Sequence, residues 1–210
     1  MRRVILLAAI MLCSGCALTT AHIDVPYQPV AAPSPVTLPA AGGAVAQVET
    51  TDARTTNRDR VGTKKNGYGM EMAPIVASND LPQTVSAAFR QELAARGFRI
   101  AANGAVVHVD LVRFYNDFKS GFFSGDAVAT VAFNLKVVSP GGTMTFSKYY
   151  AGNGVEPNIQ IAGGDNARAA LVKAFGSSVR SVMADPDFLQ ALRLAALPPA
   201  PRLAALQSAP

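Results

Sequence analysis

Apolar positions recur along this chain with two periods, and the switches between them mark its elements. From Thr130 to Val138 the alternation is clean: Val131, Phe133, Leu135 and Val137 face one way, Thr130, Asn134 and Lys136 the other, as in a strand with one buried face. The strand reading extends back to Ala127. A longer stretch, Ala105 to Phe118, sets Val107, Val109 and Leu111 against His108 and Asp110 and predicts a second strand. The connection from Lys119 to Asp126 contains two glycines, which predicts a hairpin between them. Pro140-Gly141-Gly142 predicts the next turn, and Thr143 to Ala151 a further strand. Upstream, Ala44 to Thr51 and Met70 to Ala77 read as two strands separated by a polar loop.

The period then changes. Val85, Phe89 and Leu93 recur every four residues behind Asp80, a helix N-cap with Pro82 in the first turn. Gly97 predicts the end of that helix, with Phe98 placed for the apolar contact of a Schellman motif. Leu171, Phe175, Val179 and Val182 make a second stripe behind Asp165, read as its cap, and Asp185-Pro186 restarts a short helix carrying Phe188, Leu189 and Leu192. Each apolar stripe needs one sheet face to cover it. The order therefore predicts a two-layer α+β domain, with a mainly antiparallel sheet of about five strands and two main helices on one face.

The flanks have another character. Val25 to Val48 holds no charged residue, and nine of the 14 prolines lie in the two flanks. Residues 16–41 thus read as an extended linker with a reach of roughly 80 Å, residues 42–195 as the foldable unit, and residues 196–210 as a Pro/Ala-rich tail. At the front, Met1-Arg2-Arg3 precedes nine apolar residues, Val4 to Leu12. That run is too short for a bilayer span of about 20 residues and has the layout of an export signal over residues 1–15.

Composition narrows the chemistry. The chain of 210 residues has 50% hydrophobic residues, 2 Cys, 2 His and no Trp, which suits a packed interior and disfavours a disulfide scaffold or a His/Cys metal centre. Loss of residues 1–15 would leave 17 basic against 14 acidic residues, a net +3 that gives no reason to expect nucleic acid as a partner.

Leu12-Cys13-Ser14-Gly15-Cys16 resembles the lipobox of bacterial lipoproteins, which implies acylation of Cys16 and a membrane partner through that anchor. Ala17 in the following position implies sorting to the outer membrane. With Cys16 acylated and Cys13 removed, no free thiol remains for catalysis. Further along, Val48 followed by Asp52-Ala53-Arg54, then Arg60-Val61-Gly62-Thr63, then Leu81 through Phe98, and the hairpin and terminal helix beyond, resemble in their order the YajG family of bacterial lipoproteins. The similarity covers roughly residues 42–195 and implies an outer-membrane lipoprotein facing the periplasm, with no reaction attached to it.

Candidate sites are few. His108 and Asp110 share a strand face, but adjacent side chains at i and i+2 are poorly placed for a Ser-His-Asp relay, and Glu71, Glu92 and Glu156 show no pairing for acid–base work. No catalytic residue, cofactor or metal is expected. Gly163-Gly164-Asp165-Asn166 has the look of an anion site at a helix start, except that Asp165 would itself occupy the donors. Asp52 and Arg54 suit an internal ion pair better than a ligand clamp. Two candidates for binding remain: the basic loop with Arg54, Arg58, Arg60, Lys64, Lys65 and the following Tyr68, and the Phe122-Phe123 pair at a hairpin tip. The expectation is a non-catalytic envelope adaptor for another envelope protein, or alternatively a module binding peptidoglycan, glycan or lipid headgroups.

Overall fold

The alternating stretches pair as an antiparallel meander of three long strands, β6 (Ala105–Ser120), β7 (Gly125–Val138) and β8 (Met144–Ile159). The computed structural model describes residues 18–29, 44–120 and 124–197. Along the other edge of β6, two strands follow each other end to end. β2 (Val45–Asp52) runs parallel to residues 105–111, and β3 (Gly62–Lys65) joins at Asn116. β4 (Glu71–Ala77) folds back antiparallel on β3, β1 (Ala21–Ile23) adds parallel to β4, and β5 (Arg99–Ile100) parallel to β2. Three helices, α1 (Leu81–Ala95), α2 (Gly164–Met183) and α3 (Pro186–Ala196), complete the α+β domain.

One expectation is corrected by this topology, and the mainly antiparallel sheet, held by the long β6–β7 and β7–β8 ladders, gains shorter parallel additions. The sheet has eight strands rather than about five, because β1, β3 and β5 are too short to show a period. It is also mixed: α1 lies in the chain between β2 and β6, and a helical crossover returns a strand parallel to the first.

Residues 16–41 are likewise not linker throughout. Besides β1, Val25 is fully buried, and its backbone N–H donates to Asn79 Oδ1 (3.0 Å) while Asn79 Nδ2 donates back to the Val25 carbonyl (3.2 Å). The Tyr27 ring packs edge-on against Phe175, centroids 5.2 Å apart, and its hydroxyl donates to Glu92 (2.7 Å). The segment that pairs with β4 lies just ahead of the proline-rich stretch, which begins at Pro26.

The helix ends follow their chemistry. Asp80 accepts from the Gln83 amide at 2.8 Å. Gly97 at φ 86° lets its own N–H reach Ala94 O and the Phe98 N–H reach Leu93 O, the two bonds of a Schellman stop. Asp185 caps α3 through Asp187 and Phe188. For α2 the cap is Gly163, with no side-chain bond, and Asp165 sits inside the first turn, where its charge complements the helix dipole.

One hydrophobic core lies between the helices and the covered face of the sheet, with Phe89, Phe114, Phe133, Phe175 and Phe188 fully buried. β6 feeds it in two phases, with Val107, Val109 and Leu111 buried first, then Phe114, Asn116 and Phe118. A bulge between Leu111 and Arg113 makes the switch while β7 keeps its register, so the alternation in β6 breaks where the sequence alone gave no warning. On β8, Gly152 and Gly154 face α2 so closely that a Cβ on either would overlap the helix backbone at Ser178 or Ala170.

Candidate functional site

Arg54 shows why the loop between β2 and β3 holds its shape. It is buried, and its guanidinium forks onto Asp52 (2.8 and 2.9 Å) while donating to the carbonyls of Asn57, Arg58 and Arg60 (3.0 to 3.2 Å). The loop is wound round its own cation. Hydrogen bonding from Arg54 holds the Asp52 carboxyl below its ordinary value, against the opposing effect of burial. These donors are spent within the loop.

The remaining basic residues do not gather into one patch. Arg58 is exposed, and Arg60 pairs with its neighbour Asp59 at 2.9 Å. They border a cleft of about 200 Å³ against the start of α1, together with Asp52, Asp59 and Asp80. Lys64, Lys65 and Tyr68 lie at the other end of β3. Lys65 is bonded to Asp117 (2.6 Å) and to the Phe118 carbonyl (3.1 Å). Burial pushes the Asp117 carboxyl up, and Lys65 outweighs it, leaving a net downward shift. Both lysines border a second hollow, of about 470 Å³, with Ala21, His22, Met72 and the Ile161 to Asp165 segment at the start of α2.

Tyr68 stands on the β3–β4 turn, where Asn66 Oδ1 accepts from the Tyr68 and Met70 amides at 3.0 Å each. The turn chemistry of Asn66, Gly67 and Gly69 thus lifts two apolar side chains into solvent. Sequence reasoning singled out Tyr68 and missed Met70. Cys16, Phe122 and Phe123 lie outside the described residues.

The open face of the sheet carries a polar ladder. His108 Nδ1 lies 3.2 Å from Glu49 Oε2, so the imidazole faces β2 and not Asp110. Asp110 accepts from Thr51 (2.7 Å) and Lys136 (3.1 Å), and the Thr51 hydrogen bond leads in lowering its pKa. Such pairs tie strands together across their register. Among the described residues, no three His, Cys, Asp or Glu side chains converge to hold a metal ion. No helix among them is long and apolar enough to cross a membrane.

Beyond the ladder, β8 forms the sheet's margin, pairing with β7 and no other strand among the described residues. Lys173 reaches from α2 to the Val155 carbonyl (3.0 Å) and to Glu156 (2.7 Å), closing the far part of that margin. From Thr145 to Asn153 it stays open, with Tyr149 exposed on it.

A family model described as an uncharacterized lipoprotein matches residues 31–193. The chain belongs to this family. Membership suggests a membrane-anchored envelope protein. Among solved structures, protein XCC0632 from Xanthomonas campestris is similar in fold, with TM-score 0.51 and 14% identity over 83% of this chain and 95% of that one. A minor lipoprotein from Acinetobacter baumannii superposes more loosely, at TM-score 0.38 and 7% identity over 67% of this chain and 91% of the other. No curated protein sequence matches.

Proposed function

We propose that this YajG-like lipoprotein is acylated on Cys16, held at the periplasmic face of the outer membrane, and acts by contact, presenting the margin of β8 to an envelope protein. The observation that carries the reading is the length of that margin: among the described residues, β8 pairs with a strand on one side only and is open from Thr145 to Asn153. An extended segment can add to such an edge through its backbone, while alternate side chains, Tyr149 among them, read its sequence. Asp52 with Arg54, Lys65 with Asp117, and Asp185 with Lys148 and Tyr150 are engaged in holding the domain together, which fits a scaffold better than a reaction centre.

The cleft beside Arg58 supports a second reading, recognition of an anionic glycan or headgroup. Its three guanidiniums face the three carboxylates of Asp52, Asp59 and Asp80, so little net charge is left to hold a polyanion, and the adaptor reading is preferred.

Two measurements test the proposal. Palmitate incorporated in cells should be lost in Cys16→Ala, and unchanged labelling would defeat the anchor. A photo-crosslinking amino acid at Ser147 or Asn153 should give a discrete protein adduct that the same probe at Gln83, exposed on α1, does not. Equal adducts from both faces would sink the contact surface.

A further inference from the structure

The direction in which the chain leaves the sheet decides which end of the domain meets lipid. β1 runs parallel to β4 with Ala21 beside Ile75, so going back from Ala21 the chain heads toward the beginning of β4 and its turn with β3. Leu18 is the last described residue on that path. Ala21 lies five positions after Cys16, a reach of at most about 18 Å. A short strap of this kind fixes an orientation, whereas the long leash expected from the prolines would not.

The end of the sheet toward which it points gathers four of the nine large apolar side chains exposed among the described residues. The β3–β4 turn carries Tyr68 at 91% and Met70 at 58% exposure, the start of α2 brings Ile161 at 74%, and Leu18 itself is 65% exposed. The bridge between Lys65 and Ala162 sets the turn beside Ile161. Lys64 and Lys65 border the hollow between them with Asp165, and Glu71 lies opposite Lys65 in the β3–β4 register. Aromatic and sulfur side chains flanked by lysine stems are the composition that settles at a bilayer's headgroup level.

We propose that this pole, formed by Leu18, Tyr68, Met70 and Ile161, rests in the headgroup layer of the bilayer that holds the acyl chains. The sheet then stands away from the membrane, with the Met144 end of β8 farthest from it. The inference rests on acylation of Cys16.

Because the chain has no Trp, a single Tyr68→Trp substitution gives one indole reporter at an exposed site that the fold does not need. The full acylated chain is reconstituted into phosphatidylethanolamine and phosphatidylglycerol vesicles, with or without bromine on the acyl chains. Emission of Tyr68→Trp should fall roughly twofold on brominated lipid, as for an indole at the interface. That of Tyr149→Trp, ten residues and about 33 Å from Ile159 along β8, should not change. Met70→Trp provides a second reporter in the same turn and should follow Tyr68→Trp. A chain that floats with the vesicles yet shows no quenching at either turn position, or equal quenching at Tyr149→Trp, overturns the orientation. A chain that neither carries an acyl group nor floats defeats the anchor and the orientation together.

Discussion

Substituting Gly154 by alanine tests whether α2 is seated on β8 by the absence of side chains. The new Cβ would overlap the Ala170 carbonyl oxygen and the Ala174 amide nitrogen and lie 2.8 Å from Lys173 Cβ; the backbone groups cannot turn aside as a flexible side chain could. At Gly152 the same methyl would stand 2.6 Å from Ala174 O and from Ser178 Cα. Nonbonded atoms rest at about 3.5 Å or more, so the helix must withdraw by roughly 1 Å, and a gap of that size forfeits up to half of each contact's attraction. Eleven residues of α2 are buried, Leu171, Phe175 and Val179 among them, and they share that loss. The cost should reach the upper end of overpacking, about 3 kcal/mol, and lower the melting temperature by roughly 6 to 12 °C for a domain of this size. Gly67→Ala, with no atom within 4 Å of its Cβ, is the control and should move stability by less than about 0.5 kcal/mol. One withdrawal of the helix relieves both glycine sites, so the double variant should cost clearly less than the two singles combined. Urea unfolding followed by far-ultraviolet circular dichroism reads all four proteins. A Gly154→Ala variant as stable as the parent, or strictly additive singles, would refute the close seating.

Two further substitutions probe the charged staples. Asp185 accepts from Lys148 Nζ and Tyr150 OH at 2.7 Å each, besides capping α3. Burial alone would push its carboxyl up, but these bonds win and hold it below the ordinary value, so its contribution is complete above a pH of about 4 and is lost as pH falls through the lowered folded value. Asp185→Asn should cost about 1 to 3 kcal/mol near neutrality, mostly from the cap and the buried hydroxyl, since Lys148 is half in solvent. It should also flatten the acid limb of a stability profile against pH, and an unaltered limb would remove Asp185 from the account. Arg54→Lys keeps the charge and loses the fork, so residues 53–61 should exchange their amide hydrogens faster and the domain should lose about 2 to 3 kcal/mol; mass-spectrometric exchange identical to the parent would show that the loop needs no centre.

What was legible in the sequence was what local chemistry decides. Asp80 with Pro82, Gly97 with Phe98, and Asp185 with Pro186 set helix ends through bonds within a few residues, and β7 announced itself by alternation. Gly62 to Lys65 was read as loop because four residues with two lysines form a strand only when β4 and β6 lie on either side. Ala21 to Ile23, three residues just ahead of the prolines, is a strand for the same reason, because β4 lies beside it. The parallel entry of β2 depends on a crossover, which no single segment encodes. In the candidate site, the Asp52 and Arg54 pair was visible from its spacing, but the union of Lys65 with Asp117, 52 positions away, was not. Gly152 and Gly154, two positions apart on one face of a strand, were a readable sign of close approach that alternation alone passes over.

The N-terminal strand also constrains the order in which the molecule can be completed. Arg168 donates to the Asp24 carbonyl across 144 positions, and Tyr27 packs on Phe175. The segment is made early, and while β4, Asn79 and Glu92 follow soon after it, the α2 part of the surface that receives it is made late. Until α2 has arrived, Ala21 to Tyr27 can pair with β4, Asn79 and Glu92 but lacks its contacts with Phe175 and Arg168, so its docking is incomplete. The arrival of α2 completes the docking, so under the proposed acylation the mount would become rigid only once residues up to Phe175 have been delivered.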